Sequence, residues 1–425
     1  MAQANPAETG RAAVEAIWRI ESARLIAALA RYTGDLSLAE ELAQDALVTA
    51  LEQWPTTGPP PNPGGWLMTT AKRRAIDRFR RDALHRRAVE TLGGQTDEHT
   101  GTSEHDDVET RLDDPVGDDE LALLFAACHP DLTREYRVTL TLRCLGGLST
   151  DEIGRAFLIP SSAAGQRVSR AKKALRDRGI RLDTPAAAEL PQRLESVLEV
   201  IYLVFNEGYS ATAGDDWMRP ELSREALRLA RRTAALLPEV AEVHGLLALL
   251  ELTQARAAAR TDESGAPVLL QDQDRRRWDR GHITRGLAAL ARVHRLGTVG
   301  RYGVQAAIAG AHSTAVSAAE TDWVQIAALY DVLEQLWSNP VVTLNRAVAH
   351  GHAHGAEAGL AILATLPADR LADYPQRSAV EGELLLMAGR HRAAVAALER
   401  AARETTNRAE RALLERRAAQ ASRLG

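Results

Sequence analysis

The sequence predicts an all-α protein built from consecutive pieces, on three observations. Ala, Leu, Arg and Glu dominate while aromatic residues make up 4%, a mix that favours helix over strand. Apolar residues recur at three-to-four spacing along most of the chain. Charge is sorted into blocks: the net charge is −5 overall, but residues 1–90 carry +1, 91–120 carry −10, 121–180 carry +5 and 181–425 carry −1. At 425 residues the chain exceeds what one hydrophobic core usually spans. The expected pieces are a helical domain over 11–88, a flexible acidic linker over 89–120, a helix-turn-helix domain over 121–182 and a solenoid of helical hairpins over 190–425.

Residues 11–31 read as a first helix through Val14, Ile17, Trp18, Leu25 and Leu29. In the next, "LAEELAQDALVTALEQW", Ser37 and Glu40 have the spacing of a capping box. Leu38, Leu42, Ala46, Val48 and Leu51 are expected inward and Glu40, Glu41, Gln44, Asp45 and Glu52 outward, with Pro55 ending the helix. An irregular Pro/Gly loop follows over 55–65. From Trp66 to about Arg81 a helix places Leu67, Ala71, Ala75 and Phe79 on one stripe and Thr70, Arg73, Arg74, Asp77, Arg80 and Arg81 on the other side. The stretch 65–87 holds eight Lys or Arg against two Asp. Such a one-sided basic helix suits phosphate, although a solvated face, a membrane surface or an acidic partner would use the same pattern. Arg86 and Arg87 are expected beyond its end, beside the acidic linker. That linker lacks the apolar surface needed to offset the entropy of ordering.

Further on, Ser149 and Glu152 form a second capping-box pair opening a short helix with Ile153, Ala156 and Phe157 inward, and "LIP" makes a turn. Ser161 or Ser162 is expected to cap the following helix, in which Ala164, Val168, Ala171 and Leu175 recur on one face. Ser162, Ala163, Gln166, Arg167, Ser169, Arg170 and Lys173 are left to face outward. In a helix-turn-helix the start of the second helix enters the major groove, where Gln suits adenine and Arg suits guanine or phosphate.

The segments "GDLSLAEELAQDALVTALEQW", "NPGGWLMTTAKRRAIDRFRR" and "LSTDEIGRAFLIPSSAAGQRVSRAKKAL", in this order, resemble an RNA polymerase sigma factor of the extracytoplasmic-function (ECF) sigma-70 type, with a region-2 domain, a linker and a region-4 domain. The resemblance implies that Glu40, Glu41, Leu42, Gln44 and Asp45 meet core RNA polymerase at its clamp helices. It implies that Asn62, Trp66, Thr70, Lys72, Arg73, Arg74, Asp77, Arg78 and Arg81 hold the minus-10 element. Ser161, Ser162, Ala163, Gln166, Arg167 and Arg170 would read the minus-35 element while region 4 rests on the polymerase flap, and the linker would run through the polymerase channels. Gly165 and Gln166 depart from the Lys-Ser that many members carry there.

Such minimal factors end near residue 182, whereas this chain continues as a series of helices. "YPQRSAVEGELLLMAGRHRAAVAAL" places Gly382, Gly389, Ala394, Leu398 and Ala401 at tetratricopeptide spacings, and "NPVVTLNRAVAHGHAHGAEAGLAIL" is a looser copy. With "YLVFNEGYSA", "LLQDQDRRRWDR" and "TDWVQIAALYDVL", the chain resembles the sigma-factor subgroup that carries a C-terminal tetratricopeptide-like extension. That likeness implies a regulatory extension and small DGPF/YCII-like proteins as candidate partners. Asn206, Glu207, Tyr209, Asp272, Trp278 and Trp323, with Asp274 and Asp322, are candidates for a pocket there; helix capping and loop ties are the rival reading.

Other chemistry finds little support in the residues. Cys128 and Cys144 lack ligand spacing and read as buried thiols. His350, His352 and His354 read as an exposed loop, with no metal expected. No carboxylate dyad, nucleophile–base pair or phosphate loop stands out, so neither an enzyme nor a cofactor is expected. With no signal peptide and no apolar run of membrane length, the chain is expected in the cytoplasm. The sequence reading is a promoter-specificity subunit; the rival is a stand-alone helix-turn-helix regulator with a solenoid sensor.

Overall fold

The computed structural model describes residues 6–93, 116–157, 159–211, 217–366 and 375–424. Among these the regular structure is helical, apart from an isolated bridge between Thr261 and Pro267. The chain divides into two compact units, Met1–Val200 and Ile201–Gly425.

In the first unit α1 (Pro6–Thr33), α2 (Leu36–Thr57) and α3 (Pro63–Gly93) pack together. Gly34, at φ +68, turns the chain after α1, and Asp35 caps α2, its Oδ1 accepting from Ser37 N at 2.6 Å and Leu38 N at 3.2 Å. Because the helix already begins at Leu36, Ser37 lies inside it and does not cap; the box expected between Ser37 and Glu40 is absent. The buried seam of α2 is Leu36, Ala39, Glu40, Leu42, Ala43, Ala46, Ala50 and Trp54. Alanines carry much of it, so the expected Val48 is instead half exposed, Leu38 and Leu51 are partly covered, and Glu40 is inside. Pro55 sits within the last turn, and the helix stops at Gly58, at φ +78.

Helix α3 has the predicted stripe: Leu67, Ala71 and Ala75 are buried, and Phe79 meets the Tyr32 ring at 5.9 Å. It runs well past Arg81, so Arg86 and Arg87 lie within it. The next helix, α4 (Val116–Ala127), also reaches into the span expected as linker; residues 94–115 lie outside the described set.

Helix α5 (Arg134–Leu140) continues into a π-turn, Thr141–Leu145, followed by α6 (Thr150–Phe157) and α7 (Ser161–Asp177). The Ser149–Glu152 box forms as expected: Ser149 N donates to Glu152 Oε2 at 2.8 Å and Glu152 N to Ser149 Oγ at 3.1 Å. At the α6–α7 turn a Cβ on Gly154 would lie 2.8 Å from the Ile159 carbonyl oxygen, so this close approach needs glycine. Pro160 occupies the N-cap of α7 and no side chain caps it; Ser161 and Ser162 are already in the first turn. The start of α8 (Leu190–Tyr209) is tied to this part of the unit: Arg193 donates to the Phe125 carbonyl at 3.0 Å, and Ser196 Oγ accepts from Arg137 at 2.6 Å and donates to the Cys128 carbonyl.

The second unit contains the end of α8 and then α9 (Pro220–Leu236), α10 (Ala241–Gln254), α11 (Arg280–Leu296), α12 (Arg301–Thr314), α13 (Trp323–Leu336), α14 (Pro340–His354), α15 (Ala356–Ala364), α16 (Pro375–Met387), α17 (His391–Glu404) and α18 (Arg408–Ser422). From α9 onward each helix packs on the next. Glu242 of α10 takes the place of a cap for α12, accepting from the amides of Gly300, Tyr302 and Gly303 at 3.0–3.2 Å. Glu251, almost fully buried, gathers Arg231, His282 and Arg285. Burial alone would raise its pKa, but bonds from His282 and Arg231 hold it below the usual range.

Helices α10 and α12 cross at glycine: a Cβ on Gly245 would stand 2.7 Å from Gly303 N and 3.0 Å from its Cα. Backbone cannot yield as a side chain can, so Gly245→Ala is expected to destabilise the second unit by about 1–3 kcal/mol. Calorimetric melting of the full chain checks this, and an unchanged melt would contradict the close crossing.

Candidate nucleic-acid interface

Helix α3 presents its cations in two groups. Arg74 and Arg78 turn back to α2: Arg74 meets Asp45 at 3.2 Å and Thr49 Oγ1 at 2.8 Å, and Arg78 meets Glu41 at 2.5 Å. Arg73 and Arg80 are exposed and bond to no described residue, while Lys72 is half covered. Arg81 Nε reaches only the Asp77 carbonyl, at 3.3 Å, one turn back, and Asp77 is exposed. Asn62 orders the start of the helix by accepting from Gly65 N at 3.0 Å; Trp66 stands edge-on to Trp54 at 5.2 Å and accepts the Thr70 hydroxyl on its carbonyl. The exposed pairs to α2 are each worth about 1 kcal/mol or less, so a phosphate can replace either carboxylate.

Helix α7 is divided more cleanly. Ala164, Val168, Ala171 and Leu175 are buried, as predicted. Ser162, Gln166 and Arg170 are exposed and Ala163 and Arg167 partly so; none of the polar ones bonds to a described residue. Ser161 is half buried, its hydroxyl 3.5 Å from Thr150 Oγ1. Seating one face so firmly leaves the other presented outward as a single polar row.

The two parts of the first unit pack through α1 against α4 and the π-turn, and they are joined further by a cluster of ion pairs at Glu40. Its Oε1 receives Arg143 Nε at 2.6 Å and Nη2 at 2.5 Å, and its Oε2 receives the Lys172 ammonium. Glu40 is 6% exposed. Burial by itself would raise its pKa, but the Lys172 and Arg143 charges outweigh that and hold the carboxyl below the usual glutamate range. Arg176 adds a more exposed pair to Asp35 at 3.1 Å, and Arg31 pairs with Asp119 at 2.9 Å. Beside these contacts lies a cleft of about 790 Å³ lined by Tyr32, Asp35, Ser37, Lys172, Arg176 and Arg181, among others.

These helices coincide with two family models. Residues 19–84 match sigma-70 region 2, and residues 122–175 match sigma-70 region 4. The ECF RNA polymerase sigma factor SigL of Mycobacterium tuberculosis is 32% identical over 150 residues, 34% of this chain and 77% of SigL. The chain belongs to the sigma-70 family. Residues 193–294 match a family of unknown function, DUF6596, and an uncharacterized protein of Rhizobium meliloti is 42% identical over 393 residues, 91% of this chain and 90% of that protein. The family has core RNA polymerase and promoter DNA as partners, and it points to a transcription factor rather than an enzyme.

In this sigma factor the five candidate polymerase-docking positions do not form one open patch. Glu41 is exposed and Gln44 and Asp45 partly so, whereas Leu42 is in the core and Glu40 is held by the region-4 cations. Arg143, Lys172, Asp35 and Arg176, which join the two regions, were not singled out from the sequence. The available signal was Lys172 itself, adjacent to the buried Ala171 on an otherwise outward-charged helix.

The candidate pocket residues of the extension are dispersed among structural roles. Asn206 bonds the Tyr202 hydroxyl, Glu207 pairs with Arg219, and the Arg260 guanidinium lies 3.9 Å over the Tyr209 ring. Asp272 is exposed, Asp274 caps a short 3-10 turn and Asp322 caps α13. Trp278 is buried under Arg275 and Trp323 lies between His312 and His352. The histidines expected in an exposed loop instead form the last turn of α14: His350 bonds Asp331 at 3.0 Å and His352 stacks on Trp323 at 4.0 Å. Among the described residues no group of three or more His, Cys, Asp or Glu is placed to hold a metal ion, and no helix is long and apolar enough to cross a membrane. Cys128 and Cys144 are buried, and burial pushes both thiols up to about 12.

The depressed pKa of Glu40 fixes a pH dependence. The stabilisation from its ion pairs is fully present above the unfolded glutamate value of about 4.3 and is lost as pH falls through the lower folded value. Glu40→Gln, which removes one partner of a buried pair, is expected to cost about 3–5 kcal/mol at pH 7. In calorimetric melts that deficit should shrink as the pH drops below 4; a deficit independent of pH would mean that Glu40 does not carry the charge.

Proposed function

We propose that this chain is an ECF-type sigma factor that docks on core RNA polymerase through region 2, directs it to a minus-35/minus-10 promoter and starts melting of the minus-10 element. The observation that carries this is α7, where Ser162, Gln166, Arg167 and Arg170 face outward without partners among the described residues while the opposite row is core. The order of the two sigma regions, the exposed Arg73 and Arg80 on α3, which bond to no described residue, and the likeness to SigL support it. Gln166 with Arg167 or Arg170 reads the minus-35 bases; Lys72, Arg73, Arg78 and Arg81 follow the minus-10 backbone. In this reading 11–88 and 121–182 are the working parts and 89–120, which includes the end of α3 and the start of α4, connects them.

The second unit is proposed as a tetratricopeptide-like solenoid that governs this activity, with a small DGPF/YCII-like protein as a candidate partner. Its support is the succession of neighbouring helices, with Gly389 at φ +70 between α16 and α17 and Gly382 pressed against Leu398.

The test is transcription by core polymerase from genomic templates, with the full chain and with a chain ending at Val200. Ending at residue 182 would strip Arg193 and Ser196 from the carbonyls of Phe125 and Cys128. A specific set of transcripts is expected with the full chain, and comparison with the shorter one shows the sign of the extension's effect. Gln166→Ala and Arg170→Ala are each expected to lower output from such a promoter by about 1–3 kcal/mol, roughly 5- to 150-fold, while leaving core retention intact. A chain that footprints duplex DNA alone and never retains core is the stand-alone regulator instead.

A further inference from the structure

One docking candidate on α2, Glu40, is already held by region 4. We propose that the free chain is self-inhibited, with Lys172 and Arg143 standing where basic groups of the polymerase would meet Glu40, so that core enzyme must displace region 4 before it docks. This rests on the reading of α2 as the docking helix.

Three features support it. Both oxygens of Glu40 are spoken for, one by Arg143 and the other by Lys172, and only 6% of the residue is exposed, so no external cation reaches it while the contact persists. Lys172 lies on the same helix as Gln166 and Arg170 but on a different side, partly covered where those are exposed. The contact therefore covers Glu40 on the polymerase face, with Glu41, Gln44 and Asp45 still reachable, and leaves the promoter-reading face open. Finally, another ion pair between the regions is a weak one: Arg176–Asp35 is largely solvated, its side chains 60% and 35% exposed, and it borders the cleft, while the apolar packing between the regions runs through α1, α4 and the π-turn.

A closed state of this sort reduces apparent polymerase affinity by the fraction of chain that is open. Displacing region 4 exposes Glu40 to solvent and forfeits its pairs with Lys172 and Arg143, so opening is favoured when an incoming basic surface replaces them. Self-inhibition and docking then use the same carboxylate, and the two states exclude one another.

Carbodiimide coupling tests this on the full chain, because it joins a carboxylate to an amine only in contact, and the chain has three lysines, Lys72, Lys172 and Lys173. Treatment of the free chain is expected to give a Glu40–Lys172 isopeptide bond by mass spectrometry. The coupled fraction should be retained by immobilised core polymerase at least about tenfold less than untreated chain. Lys172→Arg keeps the ion pair but cannot be coupled, and after the same treatment it should still be retained, which separates the lock from incidental surface modification. Lys172→Glu, which sets like charges together, should bind core about tenfold more tightly than the natural chain. Absence of the isopeptide bond, undiminished retention of the coupled chain, or unchanged affinity of Lys172→Glu would each overturn the proposal. Untreated chain that retains no core at all would instead overturn the sigma-factor reading, and with it any docking role for the contact.

Discussion

A carboxylate buried beside two cations organises the first unit. Glu40 lies on the covered seam of α2, where an apolar residue would cost less to bury, and that position is tolerable only because Arg143 and Lys172 arrive from a different part of the chain. Their arrival constrains much else. Lys172 can reach Glu40 only if α7 presents that side to α2, which leaves Gln166 and Arg170 facing outward. Arg143 is brought into place by the π-turn after α5, and it also donates to the Leu148 carbonyl at 3.0 Å, joining the ion pair to the loop that starts the helix-turn-helix.

Much of the local structure was legible in the sequence because it rests on local chemistry. The stripe of α3, the Ser149–Glu152 box and the inward row of α7 each depend on residues three or four apart, and all three are present. The errors fall where small residues or distant ones decide. Helix α2 packs through Leu42 and Ala46, as expected, and also through Ala39, Ala43 and Ala50, which a preference for bulky apolar residues passes over in favour of Val48. Asp35 outcompetes Ser37 as a cap because Gly34 turns the chain one residue before it. No spacing rule connects Glu40 to residues 103 and 132 positions away.

The same division holds in the second unit. Polar and aromatic side chains that stand out in the sequence as pocket candidates are used to tie helices: Glu207 to Arg219, Tyr209 to Arg260, Asp322 to the start of α13. Histidines that read as a surface loop are built into the end of α14 through Asp331 and Trp323. In a chain with few aromatics and much alanine, such directional contacts compensate for modest apolar volume. Glu251 with Arg231, His282 and Arg285, and Glu242 at the start of α12, do so at the centre of α10–α12 packing.

The two cysteines have a consequence of a different kind. A thiol that burial pushes up to about 12 holds almost no thiolate at neutral pH. Cys128 is further engaged with the Thr141 hydroxyl at 3.2 Å. Peroxide and disulfide exchange act on the thiolate, so neither residue is suited to register oxidative stress. Both thiols serve the packing of the first unit rather than its chemistry.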